Sequence, residues 1–327
     1  VSQSRSEGAV DAQAVRQLSA TDIIAKTNRI PRGVVPTEAD AIVAYIDISE
    51  KVLWYVVCAV CKSTFDVWVI DFGTSPDQRI NYYTLATLRK TLQKKYRGEL
   101  FADILEAELD ELTEKLAGSV WVREDDLELR ISALGIDSGW GDYTNEVYTY
   151  CRRSKFSHIL YAMKGVGVTA RTKPLVDPEA KRQKHTRESV IGQWKQTRTK
   201  LLTVLTQYNT NFWKSKAVQL WLKLRGGLSI FNATPKALQV FADQVTAEKF
   251  ERDKNKNGRE VDVFACPPGV DNHFGDGVVG CLPLAHIIGA ELPQQVRRKK
   301  QKSNPKSQQA AEQRNEKRKR RRVNVRF

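Results

Sequence analysis

The chain has little of what usually assigns a protein quickly. Its 327 residues contain five cysteines and one methionine. Five scattered cysteines are too few for a disulfide framework. Cys58 and Cys61 have C-x-x-C spacing, but they lie in Val56-Val-Cys-Ala-Val-Cys. That stretch reads as a strand, where an offset of three sends two side chains to opposite faces. No second Cys/His pair follows at zinc-finger spacing. Core packing is the simpler reading, and a reducing, cytoplasmic setting fits it. No apolar run approaches the roughly 20 residues that span a bilayer, so a membrane is not among the expected partners. G-x-x-x-x-G-K-[ST] does not occur, so the chain has no ATPase phosphate loop of its own. A G-x-S-x-G elbow and an H-E-x-x-H pair are missing as well. The four histidines, His158, His185, His273 and His286, are scattered. The chain opens Val1-Ser-Gln-Ser-Arg, with neither an initiating Met nor an apolar signal core. It reads as the cut or processed end of a longer polypeptide.

What is present is enough for a core. The hydrophobic content of 41% suits one large domain or two small ones. The formal charge is +15, and its placement matters more than its size. From Glu291 onward there are 14 Lys/Arg against 3 Asp/Glu, a surplus of 11 that leaves about 4 for everything before it. Residues 291–327 therefore read as a disordered basic tail. Such a tail grips phosphate backbones by counterion release without reading sequence. A solvated tail without a dedicated partner is the alternative.

Along the body, residues 1–38 are polar and turn-rich, as a linker would be. Three apolar segments follow: Ala41–Asp47, Val52–Val60 and Val67–Phe72. Short polar connections between them predict an antiparallel meander. Helical spacing then appears at Tyr83–Tyr96 and at Leu100–Leu116. Leu127–Ile136 alternates before turning fully apolar, as a strand entering a sheet interior would. A helix over Asn145–Arg153 and a strand over Ser157–Met163 complete the run. Residues 165–208 read as a basic, irregular surface excursion. Helices are expected near Phe212–Leu224, Pro235–Phe250 and Asp276–Ile288. This order predicts an α/β fold of the ribonuclease H-like kind. Its mixed sheet would join a three-strand antiparallel meander to parallel strands, flanked by helices, over residues 39–290.

The candidate chemistry lies in acids at element ends. Asp47 ends one apolar strand and Asp137 another, and a buried carboxylate is costly unless paired, hydrogen-bonded or bound to metal. On neighbouring parallel strands the two would emerge at one sheet edge about 5 Å apart. Anions that close need a cation, and Mg²⁺ or Mn²⁺ prefers oxygen ligands. Asp276, opening the last apolar helix, is the candidate third acid. Two ions there could hydrolyse a phosphodiester without a covalent intermediate. Ser138, Asp271 and His273 stand beside these acids in sequence as candidate supporting residues. The plainer readings remain open: Asp47 as a strand-end turn former, Asp276 as a helix cap, and His273 as a packing residue. His158, His185 and His286 read as structural.

A series of short motifs runs through the body. It begins with Arg32-Gly-Val-Val-Pro36, Ala44-Tyr-Ile-Asp47, Val67-Trp-Val-Ile-Asp-Phe-Gly73, Ile136-Asp-Ser-Gly-Trp140 and Lys164-Gly165. Asn209-Thr-Asn-Phe-Trp-Lys-Ser215, Leu228-Ser-Ile-Phe231, Val245-Thr-Ala-Glu248 and Gly258-Arg259 come next. Pro268-Gly269, Asp271-Asn-His-Phe-Gly-Asp276 and Val279-Gly-Cys281 close it. In this order the motifs resemble the nuclease domain of phage large terminases of the lambda-type GpA family. The resemblance implies a metal-dependent endonuclease that cuts concatemeric double-stranded DNA during head filling in a bacterial host. It also implies a small terminase subunit and a portal as partners. On the matching positions Asp47, Asp137 and Asp276 would be the metal-binding catalytic acids. Lys164, Arg171, Trp213 and Lys214 would be candidates for a DNA-facing rim. The N-terminal ATPase motor of such proteins is absent from this chain. Gly275 and Gly277 flank Asp276 where family members usually carry bulkier residues. Two rivals stand beside this reading: a transposase or integrase on the same scaffold, and a DNA-binding assembly module with a degenerate site.

Overall fold

The computed structural model describes residues 16–177 and 186–292. The basic tail, the first part of the expected linker, and Lys181, Arg182, Lys184 and His185 lie outside the described residues. A short helix α1 (Ala20–Ile24) and strand β1 (Thr27–Pro31) precede the meander β2 (Ala41–Ile48), β3 (Leu53–Cys61) and β4 (Asp66–Ser75). Next come α2 (Leu92–Lys95), α3 (Phe101–Ala117), a small ribbon of β5 (Trp121–Val122) and β6 (Glu128–Leu129), β7 (Ile131–Asp137), α4 (Thr144–Arg153) and β8 (Leu160–Val166). The remainder holds β9 (Arg187–Glu188), β10 (Trp194–Arg198), β11 (Val204–Asn209), α5 (Thr210–Leu222), β12 (Leu228–Asn232) and α6 (Pro235–Val245). A hairpin of β13 (Lys249–Lys254) and β14 (Glu260–Ala265) leads to α7 (His273–Ile287).

Among the described residues, ten strands form one mixed sheet in the order β1-β12-β4-β3-β2-β7-β8-β11-β10-β9. The meander β4-β3-β2 is antiparallel, as its short connections require, and β7 and β8 run parallel to β2. Both β7 and β8 are reached through helix-containing crossovers, the usual connection for parallel pairing.

Period-2 alternation divides the core between two faces. On one, Ile42, Ala44 and Ile46 of β2 join Leu134 and Ile136 of β7 under α3 and α4. The helix α3 meets them with Leu105, Leu109, Leu112 and Leu116, one stripe at helical spacing. On the other, Val43 and Tyr45 of β2, Trp54, Val56 and Cys58 of β3, and Ala133 of β7 pack under α5, α6 and α7. Asp47 continues the odd-numbered series of Val43 and Tyr45 on β2, and Asp137 that of Ala133 on β7, so the pleat turns both toward the α7 face. Cys58 is buried in the core, and Cys61, the last residue of β3, is partly exposed.

The helix α7 is apolar nearly all round and lies directly on β2 and β3. Its glycines permit this contact. A methyl group at Gly280 would fall 2.2 Å from the Tyr45 ring, one at Gly277 2.6 Å from Val56, and one at Gly275 3.0 Å from the Gln244 carbonyl oxygen. Bulkier residues at Gly275 and Gly277, on either side of Asp276, would therefore not fit without a shift of their neighbours.

Three expectations need correction. Tyr83–Tyr96 is not a helix beyond the short α2. Leu85 and Leu88 do pack on the core, but Gln78 accepts from the Arg89 and Lys90 amides and donates to the Lys90 carbonyl. These bonds hold the segment in a looped path. Residues 187–209 are not irregular: β9, β10 and β11 extend the main sheet beyond β8. Within the expected linker, α1 packs on α6, and β1 joins the sheet beside β12. Their half-exposed, partly polar positions hid these strands, because a strand covered on one face lacks a continuous apolar run.

Candidate active site

The site lies at the C-terminal edge of β2 and β7. The two strands pair in parallel with Ile46 level with Ile136, so Asp47 and Asp137 leave the sheet side by side. Both carboxyls bind their protons more tightly than usual. Burial and the charge of Asp47 push Asp137 up to about 7, against a lowering by the Gly139 amide. That amide donates to Asp137 Oδ1 at 3.1 Å. Burial also raises Asp47, although a hydrogen bond with His273 opposes the shift.

The first turn of α7 brings His273 and Asp276 to the same place. His273 Nδ1 stands 2.7 Å from Asp47 Oδ2. Its ring lies flat on the buried Trp54 indole, 4.6 Å between centroids. The histidine is thus packed on the core and in contact with Asp47 at once. Burial works against the His273 charge, but the Asp47 carboxylate outweighs it and raises the histidine above its usual value.

Asp276 is close enough for its charge to act on both Asp47 and Asp137. Its own oxygens, however, are engaged by two other groups. Lys214 Nζ stands 3.0 Å from Asp276 Oδ1, and Asn272 Nδ2 donates to Oδ2 at 2.9 Å. The same lysine is 2.6 Å from Glu248, and the same asparagine donates to Glu248 at 3.0 Å. Glu248 is a fourth acid of this edge that periodicity did not reveal, because it sits between α6 and β13. Only its place in the Val245–Glu248 motif marked it. Beneath the acids, the buried Tyr45 and Tyr208 hydroxyls meet at 3.3 Å and form the floor of the site.

The other sequence candidates divide. The Ser138 hydroxyl donates to the Met163 carbonyl at 2.8 Å, tying β7 to β8 immediately after Asp137. Asp271 accepts from the Leu85 amide at 2.5 Å and anchors the loop before α2. Lys164 is exposed, and the Arg171 side chain is 80% exposed with a long 3.9 Å contact to Asp253. Trp213 is not a rim residue. It is fully buried, stacks near Phe65 and donates to the Gln193 carbonyl at 3.2 Å. Nor does Lys214 face outward: its side chain is 13% exposed and turned into the acids.

Could these residues hold a divalent cation? The Asp47–Asp137 pair fits one. It is all oxygen, and its raised affinity for protons expresses an excess of buried negative charge that a hard cation would relieve. Among the described residues, no three His, Cys, Asp or Glu side chains are grouped closely enough to hold a metal ion as they stand.

An antiparallel meander continued by two parallel strands, with acids at two adjacent strand ends, defines the ribonuclease H-like class of α/β folds. Over residues 9–302 the chain matches the family described as the terminase large subunit gpA, endonuclease domain, and it belongs to that family. No curated protein matches the chain. No helix among the described residues is long and apolar enough to cross a membrane.

Proposed function

We propose that this chain is a Mg²⁺- or Mn²⁺-dependent endonuclease that cuts concatemeric double-stranded phage DNA during genome packaging. The observation that carries this reading is the pairing of Asp47 and Asp137 on adjacent parallel strands, on the face crossed by α7. Membership of a terminase endonuclease family supplies the substrate class. The small terminase subunit and portal, and the cytoplasm of a bacterial host, belong to the same reading.

Asp47 and Asp137 would hold the ion, with Asp276 and Glu248 completing the acidic edge. A bound divalent ion supplies activation of water and stabilisation of the leaving 3′ oxygen. The protein's own groups do the rest. His273 fixes the rotamer of Asp47 through its 2.7 Å contact while Trp54 holds the imidazole plane. The Gly139 amide orients Asp137, and Asn272 holds Asp276 and Glu248 together. The Tyr45–Tyr208 floor excludes water from below, which strengthens every charge interaction above it. Exposed Lys164 and Arg171 would meet backbone phosphates, contacts that position DNA without reading bases.

The test is plasmid nicking with Mn²⁺. Asp47→Ala should lose nicking while its affinity for DNA stays that of the wild type. Equal cleavage by both proteins at matched metal would end this assignment. Joined rather than merely cut products would instead favour a transposase-type reaction.

A further inference from the structure

Lys214 is in an unusual position for a lysine. It lies just past the first turn of α5, a turn fixed by the Asn209 side chain accepting from the Phe212 amide. The preceding residue, Trp213, is locked in the core. The ammonium therefore cannot swing freely. It points inward to Glu248 at 2.6 Å and Asp276 at 3.0 Å, with side-chain exposures of 13%, 16% and 33% for the three groups. A cation shared by two carboxylates at such distances is the arrangement that a metal ion between acids would otherwise create. Asn272, bridging the same two acids, occupies further lone pairs that a metal would need.

We propose that the Lys214 ammonium is a resident cation standing where a second divalent ion would bind, so that the site takes one divalent ion, at Asp47 and Asp137. The inference rests on the metal-dependent reading above and deepens it. In two-ion hydrolysis both positive centres are exchangeable ions. Here one of them is covalently part of the chain. Lys214 offsets one of the two negative charges of Asp276 and Glu248 before any metal arrives, and both acids are committed to it, so they act as positioning groups for Lys214 rather than as metal ligands. The arrangement also explains why Asp276 can sit beside Asp47 and Asp137 without a grouping of three acids forming around one centre.

The experiment is a Mn²⁺ titration of the full chain by calorimetry, with Lys214→Met and Lys214→Arg alongside. The wild type and Lys214→Arg should bind one ion per chain, and Lys214→Met should bind two, because its freed carboxylates recruit a cation. Electron paramagnetic resonance of the wild type at two equivalents of Mn²⁺ gives a readout that needs no variant to fold. It should show isolated ions, with no spin-coupled pair. Two ions per wild-type chain, a spin-coupled wild-type spectrum, or a Lys214→Met stoichiometry unchanged at one would each overturn this inference alone. Absence of Mn²⁺ binding in every protein would overturn it together with the metal-dependent reading.

Discussion

Replacing Asp137 by Asn tests the electrostatics of the site without touching its shape. Asn keeps an oxygen to accept from the Gly139 amide but carries no charge. Asp137 titrates at about 7 in the folded chain, against 3.8 for an unperturbed carboxyl. The native state therefore binds this proton more tightly than the unfolded state. Stability falls as pH rises from about 4 through about 7 and stays reduced above that. Three units at roughly 1.4 kcal/mol each set a ceiling of about 4 kcal/mol. Because the two acids interact, protonation of one relieves the other, and about 2 kcal/mol is a realistic share for one carboxylate. In EDTA at pH 8, Asp137→Asn should then melt about 4–6 °C above the wild type. Below about pH 4, where Asp137 is protonated in both states, the two should nearly coincide. With millimolar Mn²⁺ the order should change, because the wild type gains stability from the bound ion and the variant has lost a ligand. Differential scanning calorimetry across pH measures all of this. A variant that melts below the wild type in EDTA at pH 8, or that keeps the wild-type pH slope, would refute the account of a strained acid pair.

Other perturbations have equally definite outcomes. His273→Gln removes the contact that orients Asp47 and should lower the plasmid-nicking rate by about 10- to 100-fold, the scale found when outer partners of metal ligands are lost, with the circular dichroism spectrum unchanged. Gly280→Ala pushes a methyl group into the Tyr45 ring and should cost about 1–3 kcal/mol by urea denaturation. Trp213→Ala should destabilise the fold by about 3–5 kcal/mol without altering the salt dependence of DNA binding in the fraction that remains folded. Arg171→Ala should do the reverse, weakening binding about equally on all DNA sequences and reducing the salt slope by about 1, with an unchanged melting temperature.

The parts of the fold that announce themselves in sequence are those whose burial is two-sided or periodic. Ala41–Ile48 and Leu53–Cys61 are dense in β-branched residues because both of their faces are covered. The stripe on α3 shows because one face meets the sheet and the other meets water. The strands β9 to β12 do not show, since each is short and half-polar, and their pairing depends on partners far away in the chain. The same division holds at the site. Asp47 and Asp137 stand out because a carboxylate ending an apolar strand is anomalous on its own. Glu248 and Asn272 carry no such anomaly, and only the folded chain brings them to the edge. Lys214 and Trp213 show the limit of reading a side chain's direction from a resemblance. Their matching positions implied a DNA-facing rim, yet the direction in which α5 enters the core turns both inward.

The glycines of α7 have a consequence for how the molecule can move. A helix seated flush against the central strands has no cushion of side chains on which to rock. Its first turn, carrying His273 and Asp276, is therefore as immobile as the core itself. Whatever accommodation DNA demands must come from the surroundings: the Thr246–Glu248 connection, the loop bearing Arg171, and the β13–β14 hairpin. By the same logic, damage deep in the core at Val56 or Tyr45 would tilt the helix and misalign the chemistry well before the chain unfolds.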